Sequence, residues 1–147
     1  MSKQIGVGII GMGWMGSSHG RAYLQIKPRF PESSLYPKLI ICADEVKTRS
    51  DEAKNSLGFL RSTTDWHQVI DDQEVSIVNI TSPNYLHLDM VQAAAEAGKH
   101  IFCEKPVGQS PNETLFIAQA AAEAGVLTWV GYNYRWAPLV QHARKLI

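Results

Sequence analysis

Three glycines, Gly11, Gly13 and Gly16, are the first residues in this chain whose spacing suggests chemistry. They follow an apolar run over 5–10, which is typical of a buried strand, and they precede a stretch with helical spacing. In such a G-x-G-x-x-G turn, Gly11 permits the tight turn, Gly13 lets a pyrophosphate approach the backbone, and Gly16 lets the helix pack on the strand. The pyrophosphate would lie on the free N–H groups at the helix N-terminus, so the turn predicts a dinucleotide site.

The side chains inside and after this turn are interpreted in the same way. Trp14 and Met15 are predicted to contact the cofactor, and Met12 flanks the same turn. For Trp14 and Met12, ordinary apolar packing is an equally good interpretation. His19, further along the predicted helix, is interpreted as a packing residue or the partner of a local hydrogen bond.

Asp44 is a candidate for ribose recognition. It ends the apolar run over 39–43, and an acidic residue at the tip of the second strand accepts hydrogen bonds from the adenosine ribose. The usual offset from the glycines is about 20 residues. The offset is longer here because the segment over 27–38, with its prolines, is predicted to be a loop. The alternative is that Asp44 caps the helix predicted over 47–57.

The same carboxylate bears on which dinucleotide binds. A carboxylate accepts a hydrogen bond from the 2′-hydroxyl of NAD and repels the 2′-phosphate of NADP, so Asp44 favours NAD. Lys47 and Arg49 follow closely and could hold that phosphate, so NADP stays open as an alternative.

Polar residues directly follow most of the predicted strands, and this is where open parallel sheets bind their ligands. The segments in question are 11–16, Asp44, 81–84, 104–106 and 131–135. Each segment alone is weak, since polar loops after strands are common. Their joint position predicts that one edge of the sheet carries the site.

The elements that would position these segments alternate between strands and helices. Strands are predicted over 5–10, 39–43, 59–62, 75–80, 100–103 and 126–130. Helices are predicted over 15–26, 47–57, 66–70, 84–97, 111–124 and from Pro138 onward. The hexapeptide Ala-Ala-Ala-Glu-Ala-Gly occurs at 93–98 and again at 120–125, each time closing a helix before a strand. This rhythm predicts the α/β class, with a doubly wound parallel sheet of the Rossmann type.

Length and composition exclude several classes of protein. With 147 residues, 45% hydrophobic and 19% charged, the chain is long enough for one globular domain. Basic and acidic residues balance at 14 each, so neither nucleic acid nor a membrane surface is an expected partner. No metal site, signal peptide or membrane span is predicted. Cys42 and Cys103 fall in predicted buried strands as reduced thiols, so we expect a cytoplasmic protein.

The segment Glu104-Lys105-Pro106 completes a set of motifs that occur together in one family. With the glycine turn, Asp44, the 81–84 segment followed by His87, and the 131–135 segment, it resembles the Gfo/Idh/MocA oxidoreductases. The resemblance covers essentially the whole chain. It implies an NAD(P)-dependent enzyme that transfers a hydride between a nicotinamide cofactor and a sugar, cyclitol or related polyol.

The resemblance also implies roles for individual residues. Lys105 would be catalytic, with its ammonium stabilising the developing alkoxide of the substrate, and it would also contact the cofactor. A solvated loop lysine is the alternative. Glu104 would orient Lys105 or contact cofactor hydroxyls, and a cis peptide bond is expected before Pro106. His87 would point at the cofactor, with an unliganded helix-face histidine as the alternative. The other implied cofactor contacts are Thr81, Ser82, Pro83, Asn84 and, unless they are plain surface residues, Asn133 and Arg135.

The resemblance finally indicates a domain that this sequence does not contain. Members of the family carry a C-terminal α+β substrate domain with the acid–base histidine and aspartate, much of the sugar pocket and usually the oligomer interface. Residues 1–147 are therefore expected to be the dinucleotide-binding domain of a longer, homo-oligomeric enzyme, with little turnover by itself. The competing interpretation is a non-catalytic dinucleotide sensor or regulatory module.

Overall fold

The computed structural model describes residues 3–147, and these residues form alternating strands and helices. The strands are β1 (Lys3–Ile10), β2 (Leu35–Ala43), β3 (Arg61–Thr63), β4 (Ile77–Ile80), β5 (His100–Cys103) and β6 (Thr128–Val130). The α-helices are α1 (Trp14–Arg29), α2 (Lys47–Leu57), α3 (His67–Asp71), α4 (His87–Glu96), α5 (Pro111–Glu123) and α6 (Pro138–Leu146). Short 3₁₀-helices cover Asn84–Leu86 and Asn133–Trp136.

The six strands form one parallel sheet in the order β3-β2-β1-β4-β5-β6. The chain moves outward from β1 to β3 and then returns to the other side of β1 to add β4, β5 and β6. The strand order therefore reverses between β1 and β4, and ligands of open α/β sheets bind at this switch point. The predicted doubly wound Rossmann-type fold is confirmed.

Apolar side chains on both faces of the sheet hold the helices. Ile9 of β1 packs in one cluster with Leu57 of α2, and its neighbour Ile10 packs in a second cluster with Met90 of α4. Because successive residues of a strand point to opposite faces, a buried central strand needs apolar residues at consecutive positions. The apolar run at the start of the chain meets this requirement and places β1 at the centre of the sheet.

The prediction of a loop over the whole of 27–38 is wrong. Helix α1 includes Pro28 in its last turn, where the hydrogen bond lost with its N–H and any kink affect only the end of the helix. Strand β2 includes Pro37. Strand β3 pairs only with Ile41–Ala43, so the part of β2 that contains Pro37 has a free edge, where a residue without an N–H is tolerated. The connecting loop is confined to 30–34.

Other boundaries differ less from the predictions. Helix α2 and strand β5 have the predicted bounds. The helix predicted over 84–97 is divided into the 3₁₀-helix Asn84–Leu86 and α4, and the last strand is limited to the residues that pair with β5.

Both cysteines are free thiols in the interior of the fold. Burial, reinforced by the charge of Asp51, raises the pKa of Cys42 to about 12. Burial, reinforced by the charge of Glu104, raises the pKa of Cys103 to about 12 as well. At pH 8 almost none of either thiol would be the reactive thiolate.

We therefore expect an aromatic disulfide reagent to label neither cysteine of the folded chain at pH 8. Unfolding in guanidinium should expose both thiols, and two equivalents of the released aromatic thiolate measured by absorbance would report it. Labelling of the folded chain at the rate of free cysteine would contradict the burial of these side chains.

Candidate functional site

A cleft of about 620 Å³ lies at the carboxyl ends of β1, β2 and β4, across the switch point of the sheet. Eight residues predicted at the cofactor line it: Gly11, Gly13, Trp14, Met15, Asp44, Thr81, Ser82 and Pro83. The structure thus brings together segments that follow three different strands. This is the arrangement expected when ligands bind beyond the carboxyl ends of parallel strands.

Each glycine of the turn has a different environment. Gly11 has a φ of 93°, in the left-handed region that favours glycine. A Cβ at Gly16 would lie 2.0 Å from the carbonyl oxygen of Gly11, so a side chain there would push α1 away from the turn. A Cβ at Gly13 would meet nothing within 4 Å, so the space beside Gly13 is open. These environments match the tight turn, the close packing and the open approach expected of a G-x-G-x-x-G turn.

The N-terminus of α1 offers unpaired backbone donors at the cleft. The N–H of Ser17 donates to the Gly13 carbonyl at 3.0 Å. The N–H groups of Trp14, Met15 and Gly16 precede it and have no acceptor within the helix. Within residues 3–147, no side chain caps this helix end. The free donors and the positive end of the helix dipole suit an anion such as a pyrophosphate.

Asp44 joins the end of β2 to the glycine turn. Its Oδ2 accepts a hydrogen bond from the Met12 N–H at 2.7 Å, and its Oδ1 accepts one from the Val46 N–H at 2.9 Å. The Arg49 guanidinium lies 3.8 Å from Oδ1. A carboxylate has about four acceptor positions, so the two backbone donors leave capacity for hydroxyl groups of a ligand. The N-cap residue of α2 is Val46, which argues against the alternative of Asp44 as the cap.

Hydrogen bonds from Thr81 connect the end of β4 to the glycine turn. Its Oγ1 donates to the Gly11 carbonyl at 2.6 Å, and its N–H donates to the Ile10 carbonyl at 2.9 Å. The hydroxyl of Ser82 is turned toward the Met90 sulfur, 3.2 Å away. The two strands that flank the switch point therefore end in one hydrogen-bonded unit.

Asn84 and His87 do not line the cleft. Their side chains instead contact backbone carbonyls of the loops next to it. The side-chain amide of Asn84 donates to the Pro106 carbonyl at 2.6 Å. His87 is 1% exposed, with Nδ1 3.0 Å from the same Pro106 carbonyl and Nε2 3.0 Å from the Ser82 carbonyl. The ring nitrogens of His87 are therefore directed at carbonyls, and the role that the resemblance implied for it at the cofactor stays a prediction.

The segment Glu104-Lys105-Pro106 follows β5 at the same edge of the sheet. The Lys105–Pro106 peptide bond is cis, as expected. Glu104 is buried, and its Oε2 accepts a hydrogen bond from the Lys105 N–H at 3.1 Å. The Lys105 side chain is exposed, and within residues 3–147 its ammonium makes no hydrogen bond or ion pair. Neither Glu104 nor Lys105 lines the cleft itself, but the Lys105 loop is joined to it, because His87 contacts both the Pro106 carbonyl and the carbonyl of Ser82 in the cleft wall.

Asn133 and Arg135 lie away from the cleft, after the edge strand β6. Asn133 is exposed, and its side-chain oxygen accepts from the neighbouring Tyr134 N–H at 2.9 Å. Arg135 is exposed too. Two strands separate β6 from the switch point, since the sheet order places β4 and β5 between them. Asn133 and Arg135 therefore do not line the cleft, and their contact with the cofactor stays a prediction.

Several residues of the cleft were not assigned a role at the cofactor from the sequence: Glu45, Thr64, Trp66, Tyr85, Leu86 and Met90. Thr64 follows β3 directly, so the rule that ligands lie beyond strand ends predicts that Thr64 lies at the cleft. Trp66 also forms part of the cleft wall. Met12 is buried in the core, in agreement with its packing interpretation, whereas Trp14 is 79% exposed at the cleft.

Two kinds of feature are absent from the part of the chain that the structure describes. No group of three or more His, Cys, Asp or Glu side chains is placed to hold a metal ion there. No α-helix among residues 3–147 combines the length and the apolar character needed to cross a membrane.

Residues 5–132 match the family model GFO_IDH_MocA, which is described as an oxidoreductase family with an NAD-binding Rossmann fold. The match covers most of the chain, and the chain belongs to this family. The resemblance stated from the motifs is confirmed, and NAD is confirmed as the cofactor of the family's domain.

Named relatives and a solved structure agree with this assignment. The chain is 37% identical over 145 residues to levoglucosan dehydrogenase from Pseudarthrobacter phenanthrenivorans, covering 99% of this chain and 37% of the relative. It is 30% identical over 147 residues to scyllo-inositol 2-dehydrogenase (NAD(+)) from Bacillus subtilis, covering 100% of this chain and 41% of the relative. A structure of levoglucosan dehydrogenase in complex with NADH and levoglucosan superposes with a TM-score of 0.86 at 37% identity, over 90% of this chain and 36% of that one. The chain therefore spans less than half the length of the relatives that it matches.

Proposed function

We propose that this chain is the NAD-binding domain of a dehydrogenase that transfers a hydride between the nicotinamide and a sugar, cyclitol or related polyol. The observation that carries the proposal is the cleft at the switch point, where the open space beside Gly13 adjoins the unpaired N–H groups of α1 and the Asp44 carboxylate. The substrate class is supported by the names of two relatives, which refer to levoglucosan and scyllo-inositol.

The residues of the cleft fit a dinucleotide. The pyrophosphate would lie beside Gly13, where the backbone donors of α1 and the open space accommodate its charge and its size. The adenosine ribose would donate its hydroxyl hydrogens to the free acceptor positions of Asp44. The cleft walls formed by Trp66 and Leu86 suit the flat, apolar faces of the adenine base.

Lys105 would act on the oxygen of the substrate. When bound, the nicotinamide takes up or delivers the hydride. The Lys105 ammonium would donate a hydrogen bond to the reacting oxygen and stabilise the negative charge that develops there. Its exposed position and the free ammonium leave it available for this contact, while the bond from its N–H to Glu104 holds its backbone.

We further infer that residues 1–147 are one domain of a longer enzyme, called the complete enzyme below. The share of its relatives that the chain spans supports this inference. Helix α6 and the segment before it expose large apolar side chains, with Trp136 59% exposed and Leu139 83% exposed. A second domain would cover this patch, supply the acid–base groups for the hydroxyl proton and contribute to a homo-oligomer.

The proposal is tested by following NADH formation by the complete enzyme with levoglucosan and with scyllo-inositol. Polyol-dependent reduction of NAD is the expected result. NAD binding without turnover on any of a wider set of sugars and cyclitols would instead favour the non-catalytic sensor. A chain that binds neither NAD nor NADP would overturn both functions.

Asp44→Ala is expected to weaken NAD binding by about 10- to 100-fold, because hydrogen bonds to a charged acceptor are lost. Binding of NADP should change less, since the carboxylate that repels a 2′-phosphate is removed as well. Calorimetric titration of both cofactors measures the two affinities. Arg49→Ala is the matched control, because Arg49 lies 3.8 Å from the same carboxylate and should affect NADP more than NAD. Equal losses for the two cofactors in Asp44→Ala would contradict ribose recognition by this residue.

A further inference from the structure

A partly buried polar network connects α1 to the loop that carries Lys105. The Asn79 Nδ2 lies 2.9 Å from Nδ1 of His19, and Nε2 of His19 lies 2.9 Å from Oε1 of Glu104. The other carboxylate oxygen of Glu104 accepts the N–H of Lys105. The network therefore runs from the centre of the sheet through α1 to the backbone of Lys105.

The donors and acceptors of this network fix which nitrogen of His19 carries the proton. A carboxylate can only accept, so Nε2 of His19, 2.9 Å from Oε1 of Glu104, carries a proton. In the neutral ring Nδ1 is then an acceptor, and the Asn79 amide nitrogen lies 2.9 Å from it. That Nε2–H then donates to the Glu104 carboxylate, whose two oxygens are each engaged by one donor.

The surroundings leave the Glu104 carboxylate little freedom to move. The side chain of His19 is 15% exposed, and its ring meets the Phe102 ring edge to face at 4.9 Å. A Cβ at Gly131 would lie 2.3 Å from Oε1 of Glu104, so the backbone after β6 packs directly against the carboxylate. Asn79, His19 and Glu104 come from β4, α1 and the end of β5, each of which leads to or from a loop at the cleft.

We propose that His19 is a positioning residue, which holds the Glu104 carboxylate through its Nε2–H and thereby fixes the backbone of Lys105 beside the cleft. The inference rests on the proposed function, because it assumes that the place of Lys105 matters for turnover. It assigns to His19 no contact with the cofactor. The histidine of the first helix therefore acts on the substrate end of the site, although it lies in the helix that begins at the glycine turn.

The test compares two uncharged amides that differ by one methylene. In His19→Gln the side-chain amide reaches the place of Nε2 and can donate to Glu104. In His19→Asn the amide reaches only the place of Nδ1, so Glu104 loses its donor. Amide hydrogen exchange at Lys105 in this chain reports the backbone, and kcat and the KM for NAD in the complete enzyme report the function.

His19→Asn is expected to speed exchange of the Lys105 amide by about tenfold, because the acceptor of that N–H is no longer held. In the complete enzyme it should lower kcat by about 10- to 100-fold, the effect of misplacing a reacting group by about 1 Å. The KM for NAD should stay within about twofold of the wild-type value in both variants, since the glycine turn is untouched. His19→Gln should restore both the exchange rate and kcat to within a few-fold of wild type.

The inference is overturned if His19→Asn leaves the exchange of the Lys105 amide unchanged, or if His19→Gln is as impaired as His19→Asn. It is also overturned if NAD binding falls in parallel with kcat, because His19 would then act on α1 and the cofactor. If His19→Asn does not fold, His19→Met replaces it, because methionine fills the space of the ring without offering a donor. His19→Met should show the same faster exchange, lower kcat and unchanged KM for NAD. The exchange measurement needs no turnover, so a failure of the proposed dehydrogenase function leaves it interpretable and the two failures are distinguishable.

Discussion

Lys105→Ala in the complete enzyme should lower kcat by about 100- to 1000-fold, the usual cost of removing one donor to a developing oxyanion. The structure gives this lysine an exposed ammonium that is free of other residues in the described chain. Removing it would therefore deprive the reacting oxygen of the donor proposed above and disturb little else. Steady-state kinetics with the polyol that reacts fastest give kcat, and a separate titration with NAD gives the affinity for the cofactor.

Binding of NAD by Lys105→Ala should be unchanged, because Lys105 does not line the cleft. Lys99→Ala is a contrasting control, since the Lys99 ammonium donates to the carbonyls of Asp72 and Val75 and stands in no loop of the site. Its loss should reduce stability and leave kcat of the folded enzyme near wild type. A Lys105→Ala enzyme with full turnover would remove Lys105 from the mechanism.

Gly13→Ala should abolish most NAD binding while the chain keeps its fold. The added Cβ meets no protein atom within 4 Å, and the φ of −70° at Gly13 is open to alanine. The methyl group would occupy the space in which the pyrophosphate approaches the backbone. We expect the free energy of unfolding to fall by no more than about 1 kcal/mol, the cost of alanine at an N-cap. Calorimetric titration with NAD and denaturant unfolding measure the two effects.

Gly16→Ala is the contrasting variant for this prediction. Its Cβ would lie 2.0 Å from the Gly11 carbonyl oxygen, so either the turn or α1 must move. Stability and NAD binding should therefore fall together in Gly16→Ala, whereas only binding falls in Gly13→Ala. An unchanged NAD affinity in Gly13→Ala would place the pyrophosphate elsewhere.

The fold could be predicted from the sequence wherever the signal is local. The glycine turn, the apolar run of β1 and the repeated helix–glycine–strand pattern each lie within a few residues, and they were sufficient for the doubly wound sheet. The rule that ligands lie beyond strand ends then placed Asp44 and the segment from Thr81 to Pro83 at one cleft. The same rule applied to the short strand β3 would have added Thr64.

What could not be predicted depends on contacts between distant residues. His19 and Glu104 are 85 positions apart, so the sequence gives no sign that their side chains meet. The direction of His87 is set by carbonyls of a loop 19 positions later. The position of Pro37 inside a strand also depends on a distant contact, because the free edge that tolerates it is defined only by where β3 pairs with β2.

The most direct test of the central claim is the thermal unfolding midpoint of this chain with and without saturating NAD. A ligand present at about 100 times its dissociation constant stabilises the native state by about 2.7 kcal/mol. For a domain of this size the midpoint should rise by about 5 to 10 °C. We expect this rise in the wild-type chain and its loss in Gly13→Ala. A midpoint that NAD does not move in the wild-type chain, or moves equally in Gly13→Ala, would contradict the assignment of the cleft.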